Sequence, residues 1–225
     1  FVGVNCGIMD QFISRLGRKG HALLIDCRTL SYEPVPVGGD EVRIVVADSK
    51  VKRGLVDSEY NKRRAECERA VVLLSGRLSN IGALRDVTPE QLAAHGDLLA
   101  DVTRRRARHV VTENDRCLRS VEALRAGDLE AFGKLMNQSH ISLRDDYEVS
   151  CRELDILVEA AWAVPGVLGS RMTGAGFGGC TVSLVRADAV ERFRAEVSRA
   201  YEQATGRTPE IYVCSAEDGA GIAEA

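Results

Sequence analysis

The sequence lacks the features that mark membrane-spanning and nucleic-acid-binding chains. No apolar run approaches the roughly 18 residues of a membrane span, and no signal-peptide pattern opens the chain, so we expect a cytoplasmic protein. The 30 basic and 33 acidic residues leave a formal net charge of -3, which favours neither a nucleic-acid nor an anionic-membrane partner. With 45% apolar residues among 225, the chain can bury a sizeable core.

Paired cysteine motifs are also missing. The seven cysteines are scattered singly, with no C-x-x-C pair and no histidine at metal-ligand spacing. This pattern supports neither a structural zinc site nor a disulfide framework, and it predicts reduced, mostly buried thiols. No residue of the chain is therefore assigned as a metal ligand.

What the sequence does contain is a glycine-rich stretch at residues 169–182, GSRMTGAGFGGCTV. Four of the six residues from Gly174 to Gly179 are glycines. Because glycine reaches positive φ without steric cost, successive amides can turn inward and hold an anion such as a phosphate. A tight structural turn explains the same composition equally well.

These glycines do not match the common nucleotide-binding motifs. Residues 174, 176 and 179 fit G-x-G-x-x-G, which marks a dinucleotide fold only between a strand and a helix. Residues 164–169 look like a broken segment and residues 180–185 alternate like a strand, so neither condition is expected to hold. The sequence also has no G-K-[S/T] of a P-loop and none of the protein-kinase motifs V-A-I-K, H-R-D and D-F-G.

Periodicity predicts an α+β protein in which a small antiparallel sheet is covered by helices. The predicted strands are residues 21–30, 32–37, 41–49, 180–185 and 211–214, the first two as a hairpin. The predicted helices are residues 5–17, one capped by Ser58 and running to about 76, one capped by Thr88, 102–126, one from Asp128 to the Ser139–His140 junction, one from about 145 to 162, and one capped by Asp188 and Glu191.

Three polar features have both a structural and a functional interpretation. Asp10 lies near a helix N-terminus, where the macrodipole favours any acidic residue. His140, next to Ser139, can be catalytic, but a structural histidine at a helix junction is the simpler interpretation. Arg104–Arg106 with Arg108 are interpreted as the solvated face of a helix.

Three segments together resemble galactokinases, members of the GHMP family of small-molecule kinases. They are Cys6–Gln11 (CGIMDQ), Asp57–Arg64 (DSEYNKRR) and Gly169–Val182, in that order and at similar spacing. Each motif is weak alone, but the resemblance continues through residues 21–28, 108–114 and 135–151 and covers nearly the whole chain.

The resemblance implies ATP-dependent phosphorylation of the anomeric hydroxyl of galactose. It places Asp10 at the C1 hydroxyl as the base that accepts its proton, a role that suits a carboxylate within hydrogen-bond reach. It also places Gly7 close to the sugar and gives Tyr60 a hydrogen bond to it. The residues that it places beside the nucleotide are Gly174, Gly176, Gly178 and Gly179. The implied partners are galactose and ATP with Mg²⁺, bound by a monomer or weak homodimer.

Two motifs of the family are absent from this sequence. A sugar motif of the G-R-x-N-x-I-G-E-H-x-D-Y kind, whose arginine assists the catalytic aspartate, is expected before Phe1. The P-x-x-x-G-L-S-S-S-A phosphate loop and the Mg²⁺ ligands are expected there too. The resemblance therefore implies the C-terminal part of a galactokinase, inactive alone, in which residues 1–41 end the N-terminal domain and residues 42–225 form the C-terminal domain. A kinase for N-acetylgalactosamine or galacturonate, and a non-catalytic sensor of galactose and ATP, are the alternatives.

Overall fold

The computed structural model describes residues 7–52 and 56–221, without the side chains of residues 56–58. These residues form helices and two antiparallel sheets, so the predicted α+β class is confirmed. The helices are α1 (Met9–Leu16), α2 (Val56–Ser75), α3 (Pro89–His95), α4 (Asp101–Arg125), α5 (Leu129–Asp145), α6 (Arg152–Trp162) and α7 (Val190–Thr205). The strands are β1 (His21–Ile25), β2 (Tyr32–Pro36), β3 (Val42–Asp48), β4 (Val167–Met172), β5 (Cys180–Arg186) and β6 (Glu210–Cys214).

The larger sheet has the order β4-β5-β3-β6, and every neighbouring pair is antiparallel. Helix α7 packs on it because Phe193, Val197 and Tyr201 recur every four residues and form one apolar stripe. All three side chains are fully buried, together with Val45 of β3 and Leu157 of α6. Burial of each large apolar side chain contributes about 1.5–3 kcal/mol, so this layer is the main core of the domain.

The smaller sheet is the predicted hairpin, in which β1 and β2 pair from His21↔Pro36 to Ile25↔Tyr32. The first strand ends at Ile25 rather than Leu30, because the Asp26 carboxylate caps a turn by accepting the amides of Arg28 and Thr29. Val35 of β2 is buried against helix α4.

Strand β4 was not expected, because Pro165, Gly166 and Gly169 gave its region a broken appearance. Gly169 lies inside the strand because the backbone of α5 approaches it closely: a Cβ on Gly169 would be 2.3 Å from the Gly133 carbonyl oxygen. A strand therefore does precede the glycine-rich loop. The segment after the loop is β5 and not a helix, so the dinucleotide fold is still excluded.

The predicted helix junction at Ser139–His140 is wrong. Helix α5 continues to Asp145, and its polar residues are tolerated because their partners lie on other elements. The Ser139 hydroxyl donates to Glu113, and His140 Nδ1 accepts the amide of Met172. The chain turns instead at residues 146–151, where Glu148 has a φ of 54°.

Two of the predicted helix caps are wrong and one is confirmed. Thr88 accepts the Gln91 amide and Gln91 accepts the Thr88 amide, which completes the capping box before α3. Helix α7 instead follows a short 3₁₀ turn at Ala187–Ala189 and has no side-chain cap. Helix α2 already begins at Val56, so Ser58 lies inside its first turn.

The prediction of mostly buried thiols is wrong for the cysteines that the structure describes. Cys27, Cys117 and Cys214 are exposed, and the other three are half-buried. Because the cysteines are scattered singly along the sequence, their positions did not indicate which face of each helix or strand the thiols occupy. Over the described ranges, no helix has the length and apolar character that crossing a membrane requires.

The contact between α5 and β4 generates a stability prediction. A Cβ on Gly133 would lie 2.1 Å from the Leu168 carbonyl oxygen. Gly133→Ala is therefore expected to destabilise the chain by about 2 kcal/mol, although alanine is the better helix former. Urea unfolding measures this change. Gly76→Ala is the control, because its Cβ would meet only Leu73 O at 3.4 Å. Equal stabilities of the two variants would contradict the close contact.

Candidate functional site

The glycine-rich loop connects β4 to β5 and runs in the left-handed region of φ. Gly174, Gly176, Gly178 and Gly179 have φ values of 79°, 84°, 128° and 85°, and Phe177 has 58°. Four of these five positions suit glycine, because other residues rarely adopt such angles. The loop backbone therefore adopts the positive φ angles that its glycine content predicted.

Two of the four glycines are required by packing against protein backbone. A Cβ on Gly176 would lie 2.0 Å from the Val149 carbonyl oxygen, and one on Gly178 would lie 2.7 Å from the Val51 carbonyl oxygen. The space beside these residues is therefore filled by the protein itself. For Gly176 and Gly178 the structural interpretation of the motif is the one that the geometry supports.

The same neighbours hold the loop by hydrogen bonds. The Phe177 amide donates to Val149 O at 2.8 Å, and the Gly179 amide donates to Val51 O at 3.2 Å. The Gly179 carbonyl oxygen accepts both the amide and the hydroxyl of Ser49, at 3.0 and 2.7 Å. The loop is anchored on two sides, and the first amides of the loop, Gly174 to Gly176, precede both anchors.

The segment behind the loop, residues 146–149, is held by buried arginines. Arg106 is only 2% exposed and donates to Asp146 O and to the Glu148 carboxylate, both at 2.6 Å. Hydrogen bonds from Arg106 and then Arg105 lower the pKa of Glu148 to about 2. The interpretation of Arg104–Arg106 as a solvated face is therefore wrong at Arg106, which points inward. Sequence reasoning missed it because only tertiary partners distinguish it from its neighbours.

Tyr60 lies on α2, and its side chain is half-buried. Burial, with smaller contributions from Cys67 and Tyr60, raises the pKa of the Tyr147 phenol. The Tyr147 ring also stacks on His109 with centroids 4.4 Å apart. The Tyr147 ring thus packs against helix α4.

Asp10 and Gly7 lie at the start of α1, and both are exposed. A Cβ on Gly7 would meet no atom within 4 Å, so its backbone is open to a ligand. Two hydrogen bonds attach the C-terminal tail to the end of helix α1. The amides of Gly219 and Ala220 donate to Gly17 O and Ser14 O at 2.9 and 2.6 Å. Of the segments that carry the resemblance, Cys6 lies outside the described residues, as does the side chain of Asp57.

A groove of about 640 Å³ lies between the hairpin and the helices α4 and α5. Gly7 contributes to its wall, but Asp10, Tyr60 and the glycine loop do not. Its polar end is formed by Glu113, Arg116, Ser139 and Arg171. Arg116 donates to Glu113 at 2.8 Å, Ser139 donates to the other Glu113 oxygen at 2.5 Å, and Arg171 donates to Ser139 at 3.0 Å.

At the polar end of the groove, the single carboxylate of Glu113 is paired with two arginines, so this end carries an excess of positive charge. Burial acts to raise the pKa of Glu113, but the hydrogen bonds from Ser139 and Arg116 outweigh it, so that the net shift is downward. Glu113 was not identified from the sequence as a candidate site residue, although it lies in the segment 108–114 that carries part of the resemblance. Its ion pair with Arg116 lies within α4, and its ion pair with Arg171 joins α4 to β4 just before the glycine loop.

His140 has the structural role that the sequence favoured. It is fully buried in the middle of α5, with Nε2 3.2 Å from Asp155 Oδ1 and the ring edge-on to Trp162. Its Nδ1 holds the Met172 amide of β4 at 3.2 Å. Within residues 7–52 and 56–221, no group of three or more His, Cys, Asp or Glu side chains is arranged to hold a metal ion.

Comparison with known proteins agrees with this geometry. Residues 120–203 match the family described as GHMP kinases C terminal. The chain is similar to the galactokinase of Roseiflexus sp. (strain RS-1), with 57% identity over 98% of this chain and 56% of that protein. For the galactokinase of Chloroflexus aurantiacus (strain ATCC 29366 / DSM 635 / J-10-fl), the identity is 59% over 99% of this chain and 56% of that protein.

A solved structure has the same fold. The crystal structure of Lactococcus lactis galactokinase complexed with galactose superposes with a TM-score of 0.92 at 44% identity, over 97% of this chain and 56% of that one. The chain therefore spans a little more than half the length of the relatives that it matches. The predicted GHMP-kinase fold is confirmed, whereas the predicted roles of Asp10, Gly7, Tyr60 and the loop glycines stay predictions.

The close packing of the loop predicts that Gly176→Ala costs more stability than its φ alone explains. Gly206→Ala is the matched control, because Gly206 also has positive φ, 69°, but open space around its Cβ position. We expect a loss of about 1 kcal/mol for the control from backbone strain and at least about 3 kcal/mol for Gly176→Ala. Urea unfolding of the two variants measures the difference, and equal losses would refute the packing argument.

Buried His109 predicts a pH dependence of stability. Burial lowers its pKa from 6.5 to about 4, against opposing contributions from Glu113 and Asp146. Between these values the unfolded chain binds more protons than the folded one, so stability falls as pH drops from 6.5 towards 4. The contribution of His109 to this fall is about 3 kcal/mol. His109→Gln should lack that part of the fall in urea unfolding between pH 7 and 4, and parallel curves would contradict the assignment.

Proposed function

We propose that this chain, which carries the GHMP-kinase C-terminal domain, is the C-terminal part of a galactokinase. Its activity would be the ATP-dependent transfer of a phosphoryl group to the anomeric hydroxyl of galactose. The observation that carries the proposal is the similarity to Lactococcus lactis galactokinase complexed with galactose, at a TM-score of 0.92 and 44% identity. The galactokinases of Roseiflexus and Chloroflexus, 57% and 59% identical, support the same activity.

On the sugar side, the proposed base is Asp10. Its carboxylate is exposed in the first turn of α1, where the helix dipole stabilises negative charge. Within hydrogen-bond reach of the C1 hydroxyl, a carboxylate orients the attacking oxygen and accepts its proton as the O–P bond forms. Gly7, one turn earlier, leaves room for the sugar because nothing occupies its Cβ position. Tyr60 would donate its hydroxyl to the sugar.

On the nucleotide side, the proposed contact is the loop of Gly174, Gly176, Gly178 and Gly179. The amides of Phe177 and Gly179 already donate to protein carbonyls. The amides proposed to donate to a phosphate are therefore those of Gly174 to Gly176 and Gly178. In this proposal Gly176 and Gly178 shape the loop by packing, and ATP supplies the phosphoryl group that is transferred.

Magnesium is not assigned to this chain. Among the described residues, no group of three or more His, Cys, Asp or Glu side chains is arranged to hold a metal ion. We propose that Mg²⁺ accompanies ATP and that its ligands lie in the N-terminal part of the protein, and no step of the reaction is derived through the ion. We further propose residues 1–41 as the end of an N-terminal domain and residues 42–225 as the C-terminal domain. A cytoplasmic location and a monomeric or weakly dimeric state belong to the same proposal.

The test uses a chimera in which this chain follows the N-terminal part of the Roseiflexus galactokinase. Asp10→Asn is expected to lower kcat by about a hundredfold or more, with little change in the galactose Kd, because only proton acceptance is lost. Asp115→Asn, an exposed acid of α4, is the control. A coupled assay gives kcat, and calorimetry gives the Kd.

Each other outcome has a defined meaning. If kcat of Asp10→Asn stays within a few fold of the parent chimera, Asp10 is not the base. If the parent chimera binds galactose and ATP without turnover, the non-catalytic sensor is supported instead. Faster turnover of N-acetylgalactosamine or galacturonate than of galactose would reassign the sugar.

A further inference from the structure

We propose that Arg63 is a positioning residue that sets the glycine-rich loop relative to Tyr60, and so the nucleotide relative to the sugar. The kinetic part of this inference rests on the function proposed above. The structural part concerns only contacts within this chain. Arg63 lies on α2, and its side chain is buried although it carries a full charge.

The guanidinium of Arg63 holds the backbone behind the loop. Its Nε donates to Tyr147 O at 2.6 Å, and its Nη2 donates to Glu148 O at 2.8 Å. The next carbonyl, Val149 O, accepts the Phe177 amide of the glycine loop at 2.8 Å. The carbonyls of Tyr147, Glu148 and Val149 therefore connect helix α2, through Arg63, to the glycine-rich loop, through Phe177.

Arg63 also reaches the loop directly. Its guanidinium carbon lies 6.0 Å from the centroid of the Phe177 ring, at the outer limit of a cation–π contact. Phe177 is a non-glycine residue with a φ of 58°, a conformation that persists only when its surroundings enforce it. The contacts around it are the Val149 hydrogen bond, the Arg63 guanidinium, and packing of the ring against the apolar cluster that contains Leu154 and Met172.

Tyr60 lies on the same helix, three residues before Arg63. Residues three apart on a helix lie on the same side of it, and from that side Arg63 donates to the Tyr147 carbonyl oxygen. A shift of α2 against the segment at Tyr147 would move Tyr60 and release the loop together. In the proposed function, Tyr60 contacts the sugar and the glycine-rich loop contacts the phosphates. Arg63 therefore sets the distance between the two substrates.

The charge on Arg63 is balanced, which makes the position specific for arginine. Its Nη1 lies 3.3 Å from Glu59 and 3.6 Å from Glu66, and Glu66 is shared with Arg106 at 2.9 Å. A lysine keeps the charge, but its single ammonium lacks the planar fork that binds two carbonyls and two carboxylates at once. Arg63→Lys therefore removes the geometry and retains the charge.

The first experiment is native-state amide hydrogen exchange on the full 225-residue chain. Arg63→Lys is expected to accelerate exchange of the Phe177 amide about tenfold or more, while the amides of β3 and α7 keep their protection. Arg64→Lys is the matched control, because Arg64 is exposed and pairs with Glu68. A Phe177 rate equal to that of the control, or a uniform rise at all amides, would overturn the inference.

The second experiment measures kinetics in the chimera. Arg63→Lys is expected to raise the KM for ATP and to lower kcat, each by about fivefold or more, whereas Arg64→Lys changes neither. Tyr60→Phe added to Arg63→Lys should give a smaller loss than the product of the single effects, because both act on one arrangement. Arg63→Gln is included to remove the charge, and Arg63→Lys carries the test if Arg63→Gln does not fold.

The two experiments separate the two proposals. A parent chimera without turnover contradicts the galactokinase function, and the exchange rates still decide whether Arg63 holds the loop. An active parent in which Arg63→Lys has the kinetics of Arg64→Lys contradicts the positioning role alone. Independent, fully multiplicative effects of Arg63→Lys and Tyr60→Phe contradict the coupling.

Discussion

The glycine loop depends on the approach of its backbone to the Val149 carbonyl oxygen. That oxygen accepts the Phe177 amide and occupies the place where any side chain on Gly176 would stand. A loop with positive φ at five positions has little intrinsic preference for one conformation. Contact with a fixed carbonyl removes that freedom, so the loop is ordered before any ligand arrives. At Gly176 and Gly178 the absence of a side chain therefore serves packing against the protein backbone.

Holding the Val149 carbonyl in place carries a cost in folding free energy. The residues before it, 146–148, form no regular hydrogen-bond ladder, and their carbonyls are satisfied by Arg63 and Arg106. Burying two guanidinium groups carries a desolvation penalty that ion pairs with Glu66 and Glu148 only partly offset. The arrangement therefore contributes less to stability than an apolar core of equal volume would. What it supplies is a directional attachment between α2, α4 and the loop.

Much of the fold could be predicted from the sequence because it follows local periodicity. The stripe of Phe193, Val197 and Tyr201 and the Thr88 capping box depend only on residues within a few turns. Strand β4 could not be predicted, since the reason for Gly169 is the backbone of Gly133 on another element. Helix α5 was interrupted in the prediction for the same reason: Ser139 and His140 are polar, and their partners are Glu113 and Met172.

The candidate site shows the same limit. Asp10, Tyr60 and the glycine loop were found through motifs, but periodicity gave no sign that Arg63 and Arg106 are buried among charged neighbours. Their sequence context, a run of arginines and glutamates on a helix, is typical of a solvated surface. Only the distant carbonyls of residues 146–148 distinguish these two side chains from Arg64 and Arg105.

The attachment of helix α1 to the C-terminal tail has a consequence in time. The helix that carries Asp10 accepts hydrogen bonds at its C-terminal end from Gly219 and Ala220, which lie about two hundred residues later in the chain. At about 5–20 residues per second, a ribosome takes roughly 10 to 40 seconds to synthesise that interval. During this period α1 lacks the hydrogen bonds that Gly219 and Ala220 donate to it. The helix that carries Asp10 is therefore completed only after the strands and helices of the rest of the described chain have been synthesised.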